Sequence, residues 1–132
     1  MTILRCLLAT ALLALVLAAG ASAKTVTYKN IVGPKKQISC FAVKGSTEIE
    51  CSASFVPEIG ELDTYLAVRA RGKAKLSERG DYPGYPVRRR TLHFGDTWQR
   101  PGIRCKLRSN GLTCRNLDDH GFHLERDHVR RF

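Results

Sequence analysis

Four of the five cysteines lie in two closely spaced pairs, and this spacing restricts the fold more than any other feature. Cys40 and Cys51 enclose FAVKGSTEIE, and a hairpin that pairs them sets Ala42 opposite Ile49 with Gly45-Ser46 as a two-residue turn. Glycine at the first turn position is typical of the type II′ turn, which fits the twist of paired strands. Because side chains alternate along a strand, both cysteines then share one face with Ala42 and Ile49.

The second pair repeats this pattern over a shorter segment. In CKLRSNGLTC, pairing Cys105 with Cys114 sets Leu107 opposite Leu112 and leaves the loop Arg108-Ser109-Asn110-Gly111. A two-residue Asn-Gly turn would move the cysteines to a diagonal, whereas directly opposite positions lie close enough for a disulfide. The predicted disulfides are Cys40–Cys51 and Cys105–Cys114, and crossed pairing is the alternative.

Residues 1–23 have the pattern of a signal peptide. Arg5 precedes an apolar run from Leu7 to Ala19, and the small residues that follow end in Ala-x-Ala before Lys24. The run is shorter than the about 20 apolar residues of a membrane-spanning helix, so we expect cleavage near Ala23 rather than an uncleaved anchor. Residues 24–132 then form one disulfide-bonded domain, secreted or periplasmic, with no transmembrane segment.

Residues 65–76 alternate between apolar and basic side chains, which predicts a half-buried strand. The apolar set is Leu66, Val68, Ala70, Ala74 and Leu76, and the basic set is Arg69, Arg71, Lys73 and Lys75. The turn YPGYP follows, and Arg88-Arg89-Arg90 then leads into the short strand TLHFG. Short strands joined by turns predict an all-β fold, either an antiparallel meander or a partly open barrel. At most we expect a short C-terminal helix after Arg126, capped by Asp127.

Four motifs are distributed over most of the length of the chain beyond the signal: GPKKQISC, LHFGDTW, GIRCKLRSNGLTCRN and HGFHLER, with a terminal Phe. They resemble a family of small exported bacterial proteins whose shared region is called domain of unknown function 6636. The matching residues are Ile38, Cys40, Leu92, Gly95, Cys105, Gly111, Thr113, Cys114, Asn116, His120, Gly121, Phe122, Arg126 and Phe132. The chain departs from the family in lacking cysteines between Cys51 and Cys105 and in having Phe94 where the family has Tyr. The resemblance implies export and a disulfide-bonded domain, and it implies no activity.

The C-terminal segment holds three of the four histidines. A zinc site needs three or four converging ligands, and the spacing of His120, His123 and His128 does not converge on one face of a strand or helix. We therefore expect no metal and no cofactor, and interpret Asn116, His120 and Arg126 as partners of backbone groups. With paired cysteines, no Gly-rich phosphate loop and no nucleophile-elbow serine, the sequence predicts no enzyme.

Positive charge is the remaining functional signal. Arg5 leaves with the signal, so 21 of the 22 Lys and Arg residues remain against 12 Asp and Glu, a net charge of +9. The predicted anion-binding residues are Arg69, Arg71, Lys73 and Lys75 in one row, extended by Arg88, Arg89 and Arg90. They predict a non-catalytic binding module for an anionic polymer such as polysaccharide or lipopolysaccharide, outside the reach of intracellular nucleic acid. Two alternatives stay open: cations that only protect an edge strand, and an inhibitor or interaction partner of a secreted enzyme.

Overall fold

The computed structural model describes residues 22–55, 64–78, 88–125 and 128–132. The described strands are β1 Thr25–Val26, β2 Asn30–Val32, β3 Ile38–Ala42, β4 Ile49–Ala53, β5 Thr64–Val68, β6 Lys75–Glu78, β7 Arg90–Thr91, β8 Thr97–Arg100, β9 Ile103–Arg108, β10 Gly111–Asn116, β11 Gly121–Glu125 and β12 His128–Arg131. A 3₁₀ turn at Pro34–Lys36 joins β2 to β3. In the described part of the chain, no helix has the length and apolar character needed to span a membrane. The prediction of an all-β, disulfide-bonded domain is confirmed.

The strands form two six-stranded sheets, and the two halves of the chain build them by the same plan. Sheet A has the order β1-β8-β9-β10-β11-β12, and sheet B has the order β7-β2-β3-β4-β5-β6. In each sheet, five consecutive strands form an antiparallel meander, and the first strand of the other half pairs in parallel at one edge. The predicted meander is therefore confirmed, and the sheets do not close into a barrel.

Both predicted disulfides are present, and Cys40 and Cys105 lie directly opposite their partners Cys51 and Cys114. The turns differ from the prediction. In the first hairpin the Ser46 amide donates to the Val43 carbonyl at 3.3 Å, so Lys44–Gly45 form the turn rather than Gly45–Ser46. Gly45 has a φ of +76°, which explains why glycine is needed there. In the second hairpin, strand pairing continues to Arg108 and Gly111, which reduces the predicted four-residue loop to Ser109–Asn110.

One hydrophobic core cluster is shared by the inner faces of the two sheets. Sheet B contributes side chains from β2 to β5, and sheet A contributes Trp98, both disulfide-bonded cysteines of its hairpin, and alternate residues of β9 to β11. Trp98 and Phe122 are the largest fully buried side chains in the described chain. The indole Nε1 of Trp98 donates to the Tyr28 carbonyl at 2.7 Å, so its one polar atom is satisfied inside the core.

The single strand predicted over residues 65–76 is wrong. This segment is a hairpin in which β5 pairs with β6, and Leu66 lies opposite Leu76. Residues 69–74 form the connection, and Gly72 within it has a φ of +87°. Alternation with a period of two is the same in one long strand and in two paired strands, so the pattern cannot distinguish them. Leu76, predicted to face the core, is 46% exposed on the edge strand.

Two further predictions are wrong because they depend on strand pairing between distant parts of the sequence. The strand after Arg88 and Arg89 is β7, and it pairs with β2 instead of lying beside β6. Residues 128–131 form β12 on the edge of sheet A, where a short helix was expected. Pairing with β11 satisfies the backbone groups on one side of β12, and the groups on its other side point away from the edge of the sheet. The YPGYP turn and the expected cap Asp127 lie outside the described residues.

Candidate anion-binding surface

The outer face of sheet A carries a dense set of basic side chains. Burial alternates along β9, where Ile103, Cys105 and Leu107 lie in the core and the residues between them point outward. We call the outward side of β9 to β12 the basic face. Its cations are Arg104, Lys106, Arg108, Arg115 and Arg130. Lys106 is half-buried and the four arginines are exposed.

Strand pairing arranges these side chains in rows across the sheet. Arg104 lies opposite Arg115, which is opposite Gly121. A second row runs from Lys106 through Thr113 and His123 to Arg130. Adjacent strands are about 4.8 Å apart, and same-side residues on one strand are about 6.8 Å apart. The basic face therefore spans roughly 14 Å along β9 and roughly 14 Å from β9 to β12.

The positive charges of the basic face are only partly neutralised. Arg115 lies 3.6 Å from the carboxylate of Asp119, which is 83% exposed. Within the described residues, no ion pair is found for the other four cations of the face. Like charges directly opposite each other destabilise a sheet, so the Arg104–Arg115 pair is unfavourable unless an anion lies between or above the two side chains.

The C-terminal residue Phe132 positions two arginines of the basic face. The guanidinium carbons of Arg115 and Arg130 lie 4.8 Å and 6.0 Å from the ring centroid of Phe132, within the range of cation–π attraction. Phe132 and Gly121 are joined by two backbone hydrogen bonds of 3.0 Å and 3.1 Å. A side chain at Gly121 would collide with the Cys114 carbonyl oxygen, so glycine allows β10 and β11 to approach.

The C-terminal histidines bind neighbouring side chains instead of converging. His123 is nearly buried, and its Nδ1 lies 2.6 Å from the Thr113 hydroxyl. His128 Nε2 lies 2.8 Å from Glu125, and His123 Nε2 lies 3.8 Å from the same carboxylate. His120 is separate, with its Nδ1 3.3 Å from the Phe132 carbonyl. Across the residues that the structure covers, no three His, Cys, Asp or Glu side chains are grouped to hold a metal.

The predicted row of four cations is dispersed by the hairpin, because only Lys75 lies in a strand. Arg69 donates to the Glu48 carboxylate at 2.7 Å, and Lys75 lies 3.7 Å from it. Burial opposes the ionisation of Glu48, but the bond from Arg69 and the charges of Lys75 and Arg69 hold its pKa below the ordinary value. Arg71 donates to Asp118 at 2.7 Å. Three of the four cations are therefore ion-paired, and Lys73 has no ion pair with any described residue.

Arg88, Arg89 and Arg90 do not extend this row, because β7 does not lie beside β6. β7 and β6 are the opposite edges of sheet B, with four strands between them, which is roughly 24 Å at the usual strand spacing. Arg89 donates to the Ser39 hydroxyl at 3.3 Å, and the Arg90 guanidinium lies 4.4 Å from the Tyr28 ring centroid. Whether any of these cations binds anions stays a prediction.

Asn116 has a structural role that connects the sheets. Its side-chain nitrogen donates to the carbonyls of Arg69 and Gly72 at 2.9 Å and 2.7 Å. Its side-chain oxygen accepts from the amides of Asp118 and His120, each at 3.0 Å. The Gly72 amide donates to Asp118 at 2.8 Å, and this bond, opposed by desolvation and helped by Arg71, holds the pKa of Asp118 below its ordinary value. Of the other family-motif residues, Phe122 lies in the core and Arg126 lies outside the described residues.

The alternation of IRCKLR contains the signal for the basic face. The period-two alternation that points Cys105 and Leu107 inward also points Arg104, Lys106 and Arg108 outward. Arg115 follows from the predicted Cys105–Cys114 hairpin, because the residue after the inward Cys114 points outward opposite Arg104. Arg130 could not be added from the sequence, because its place depends on the pairing of β12 with β11.

Comparison with models of known protein families, with curated proteins and with solved structures finds no match. The resemblance to domain of unknown function 6636 therefore stays a prediction.

Proposed function

We propose that this domain is a non-catalytic binding module for an anionic envelope or extracellular polymer, and that the polymer lies across the basic face of sheet A. The observation that supports this is the exposure of Arg104, Arg108 and Arg130 without any ion pair among the described residues. The described strands β9 to β12 place five cations on this face and one carboxylate, that of Glu125. The Glu125 carboxylate lies 2.8 Å from His128 Nε2.

A polymer fits this face better than a single small anion. The cations are spread over roughly 14 Å in each direction, which exceeds the reach of one sulfate or carboxylate group. Neighbouring cations lie within one Debye length, roughly 8 Å at physiological salt, so each one raises the potential at the next. A polyanion relieves this repulsion at several positions at once and releases its own counterions, which gives binding that weakens steeply with salt.

The two sheets support the choice of face. In sheet B the corresponding outer side carries Phe41, Tyr65, Ala67 and Glu50, and all four are buried. In sheet A the equivalent positions on β9 and β10 are the arginines and lysine of the basic face, and most are exposed. Halves with the same pairing order thus differ in this surface, which is buried in one half, with Glu50 among apolar side chains, and cationic and exposed in the other.

The test is retention of residues 24–132 on immobilised heparin, with Arg104, Lys106 and Arg108 all changed to Thr. Threonine suits an exposed strand position. We expect the slope of the logarithm of the affinity against the logarithm of the salt concentration to become shallower by roughly two to three units, about one for each lost contact. The matched control changes Lys29, Lys44 and Lys73 to Thr, which removes the same charge from three exposed positions outside the basic face. If both variants lose the same heparin affinity, net charge rather than the basic face explains the binding, which contradicts the proposal. A wild type that does not bind heparin at low salt would also contradict it.

The proposed function requires export, because envelope and extracellular polymers lie outside the cytoplasm. Disulfides persist in oxidising compartments, and cleavage after Ala23 would turn the Lys24 nitrogen into an α-ammonium group. That nitrogen lies 2.9 Å from Oδ1 of the buried Asp96, so processing would create an ion pair that holds β1 beside β8. The intact mass of protein from the envelope or medium tests this point. We expect residues 24–132, and a species that retains Met1–Ala23 would contradict cleavage.

A further inference from the structure

A cavity of about 650 Å³ opens at one end of the domain, between the sheets. Sheet A provides one wall through the tip of the β9–β10 hairpin, and sheet B provides the other through the 3₁₀ turn and the start of β3. The volume lies within the roughly 300–1,000 Å³ that small-molecule sites occupy. The site is separate from the basic face except at its rim, where Arg108 and Glu125 belong to both.

The lining is apolar inside and cationic at the mouth. Ile38 and Leu107 are core residues of the two sheets, and they form the buried part of the wall together with the half-buried Phe55. Lys35 and Arg108 are exposed at the mouth. The lining holds two cations, Lys35 and Arg108, and one carboxylate, Glu125, so its net charge is positive.

The turn that carries Lys35 has an unusual backbone. Lys35 and Lys36 have φ values of +56° and +57°, a region that residues other than glycine rarely adopt. The turn is fixed by hydrogen bonds from the Lys36 amide to the Gly33 carbonyl at 3.1 Å and from the Gly33 amide to the Ile38 carbonyl at 2.8 Å. Strained backbone of this kind concentrates at ligand sites, and here it holds a lysine at the mouth of a cavity.

Phe94 gives the same end of the domain an exposed aromatic ring. It is 59% exposed, although it stands on a well-fixed turn. The Gly95 amide donates to the Leu107 carbonyl at 2.8 Å, the Leu107 amide donates to the Asp96 carbonyl at 3.1 Å, and the Asp96 carboxylate accepts from the His93 amide at 3.0 Å. The ring is therefore held beside the apolar wall while one side of it stays open to solvent.

We propose that this cavity binds a small amphipathic anion, with one carboxylate, sulfate or phosphate head joined to an apolar or aromatic body. The head group pairs with Lys35 and Arg108, and the body lies against Ile38, Leu107 and Phe94. Charge complementarity selects the anion, and burial of the apolar body between the sheets supplies most of the affinity. A polymer chain on the basic face does not require this cavity, so the two sites can be tested apart.

The probe is 1-anilinonaphthalene-8-sulfonate, titrated into residues 24–132 with both disulfides intact. We expect a saturable fluorescence increase at one equivalent, displaced by decanoate and at least tenfold less well by decanol. Phe94→Ala should weaken binding at least tenfold, whereas the control Leu117→Ala, at another exposed apolar residue (61%), should leave it unchanged. Lys35→Asn should also weaken it at least tenfold, because asparagine tolerates the positive φ but lacks the charge. Its control is Lys44→Asn, at the far end of the β3–β4 hairpin.

Three results would overturn the inference: binding that does not saturate at one equivalent, equal displacement by decanoate and decanol, or equal effects of Phe94→Ala and Leu117→Ala. A double variant, Arg104→Thr with Lys106→Thr, keeps Arg108 and separates the two proposals. It should weaken heparin retention, by about two units of the salt slope, and keep the affinity for the probe. Loss of the probe in this variant would place the probe on the basic face and contradict the cavity site.

Discussion

The contact between Lys24 and Asp96 gives a specific prediction for the processed protein, tested by Asp96→Asn. The Asp96 side chain is 6% exposed and accepts from the Lys24 nitrogen at 2.9 Å and from the His93 amide at 3.0 Å. Asparagine keeps one acceptor and turns an NH₂ group towards the other donor, so one charge-assisted bond is lost. Hydrogen bonds to charged groups contribute about 1.5–3 kcal/mol, and we expect the free energy of unfolding at pH 7 to fall by about 2–3 kcal/mol.

Urea unfolding of residues 24–132 with intact disulfides measures this change, and its pH dependence identifies the group. Burial opposes the ionisation of Asp96, but the bonds from Lys24 and His93 outweigh it and hold its pKa below the ordinary 3.8. A lowered pKa in the folded state stabilises the protein above the unfolded pKa, and the effect disappears as pH falls through the folded pKa. The difference between wild type and Asp96→Asn should therefore be full at pH 5–7, about one unit and more above the unfolded pKa, and shrink below about pH 3.8.

Two controls separate the ion pair from other effects of this substitution. Asp119→Asn removes a carboxylate that is 83% exposed, and the change in unfolding free energy should stay within about 0.5 kcal/mol. A chain that retains Ala23 has an amide in place of the α-ammonium, so it should be less stable by about 1 kcal/mol. Unchanged stability of Asp96→Asn, or a difference that stays constant down to about pH 2.5, would refute the role of the carboxylate. Equal stability of the two chain lengths would refute the role of the ammonium.

Three further substitutions test other parts of the fold by the same unfolding measurement. Asn116→Ala removes two hydrogen bonds to the β5–β6 loop and two within the β10–β11 turn. It should cost about 2–4 kcal/mol, against less than about 0.5 kcal/mol for Asn110→Ala on the exposed turn, and similar values for both would show that other contacts hold the loop and the turn. Gly121→Ala should destabilise by more than about 3 kcal/mol because its Cβ meets the Cys114 carbonyl, whereas Gly45→Ala, with open space but positive φ, should cost about 1 kcal/mol. Joint replacement of Cys105 and Cys114 by Ala should cost about 2–3 kcal/mol on the chain-entropy model, and a stability equal to wild type would mean that the reduced chain keeps the hairpin closed.

The direction of the side chains on the basic face could be predicted from the sequence, but their ion pairing could not. The outward direction of Arg104, Lys106 and Arg108 follows from the period of β9 alone. Ion pairing was not predictable, because Arg71 meets Asp118 across 47 residues of chain and Arg69 meets Glu48 across 21. Residues 69–75 and residues 104–108 have a similar local density of cations in the sequence. The fold places acids beside Arg69, Arg71 and Lys75, whereas no ion pair to a described residue is found for Arg104, Lys106 and Arg108.

Local sequence was sufficient to predict the elements whose partners lie within about ten residues. Period-two alternation fixes which side chains of a strand face inward, and a short turn fixes the register, so both disulfides and the all-β class followed from local spacing. The pairings of β1 with β8 and of β7 with β2 could be seen only in the three-dimensional fold. In each of these parallel pairs one strand, β1 or β7, has only two residues, and a side-chain pattern of that length is too short to specify a partner. Their position depends on the core that both halves of the chain must form together before either edge strand has a surface to join.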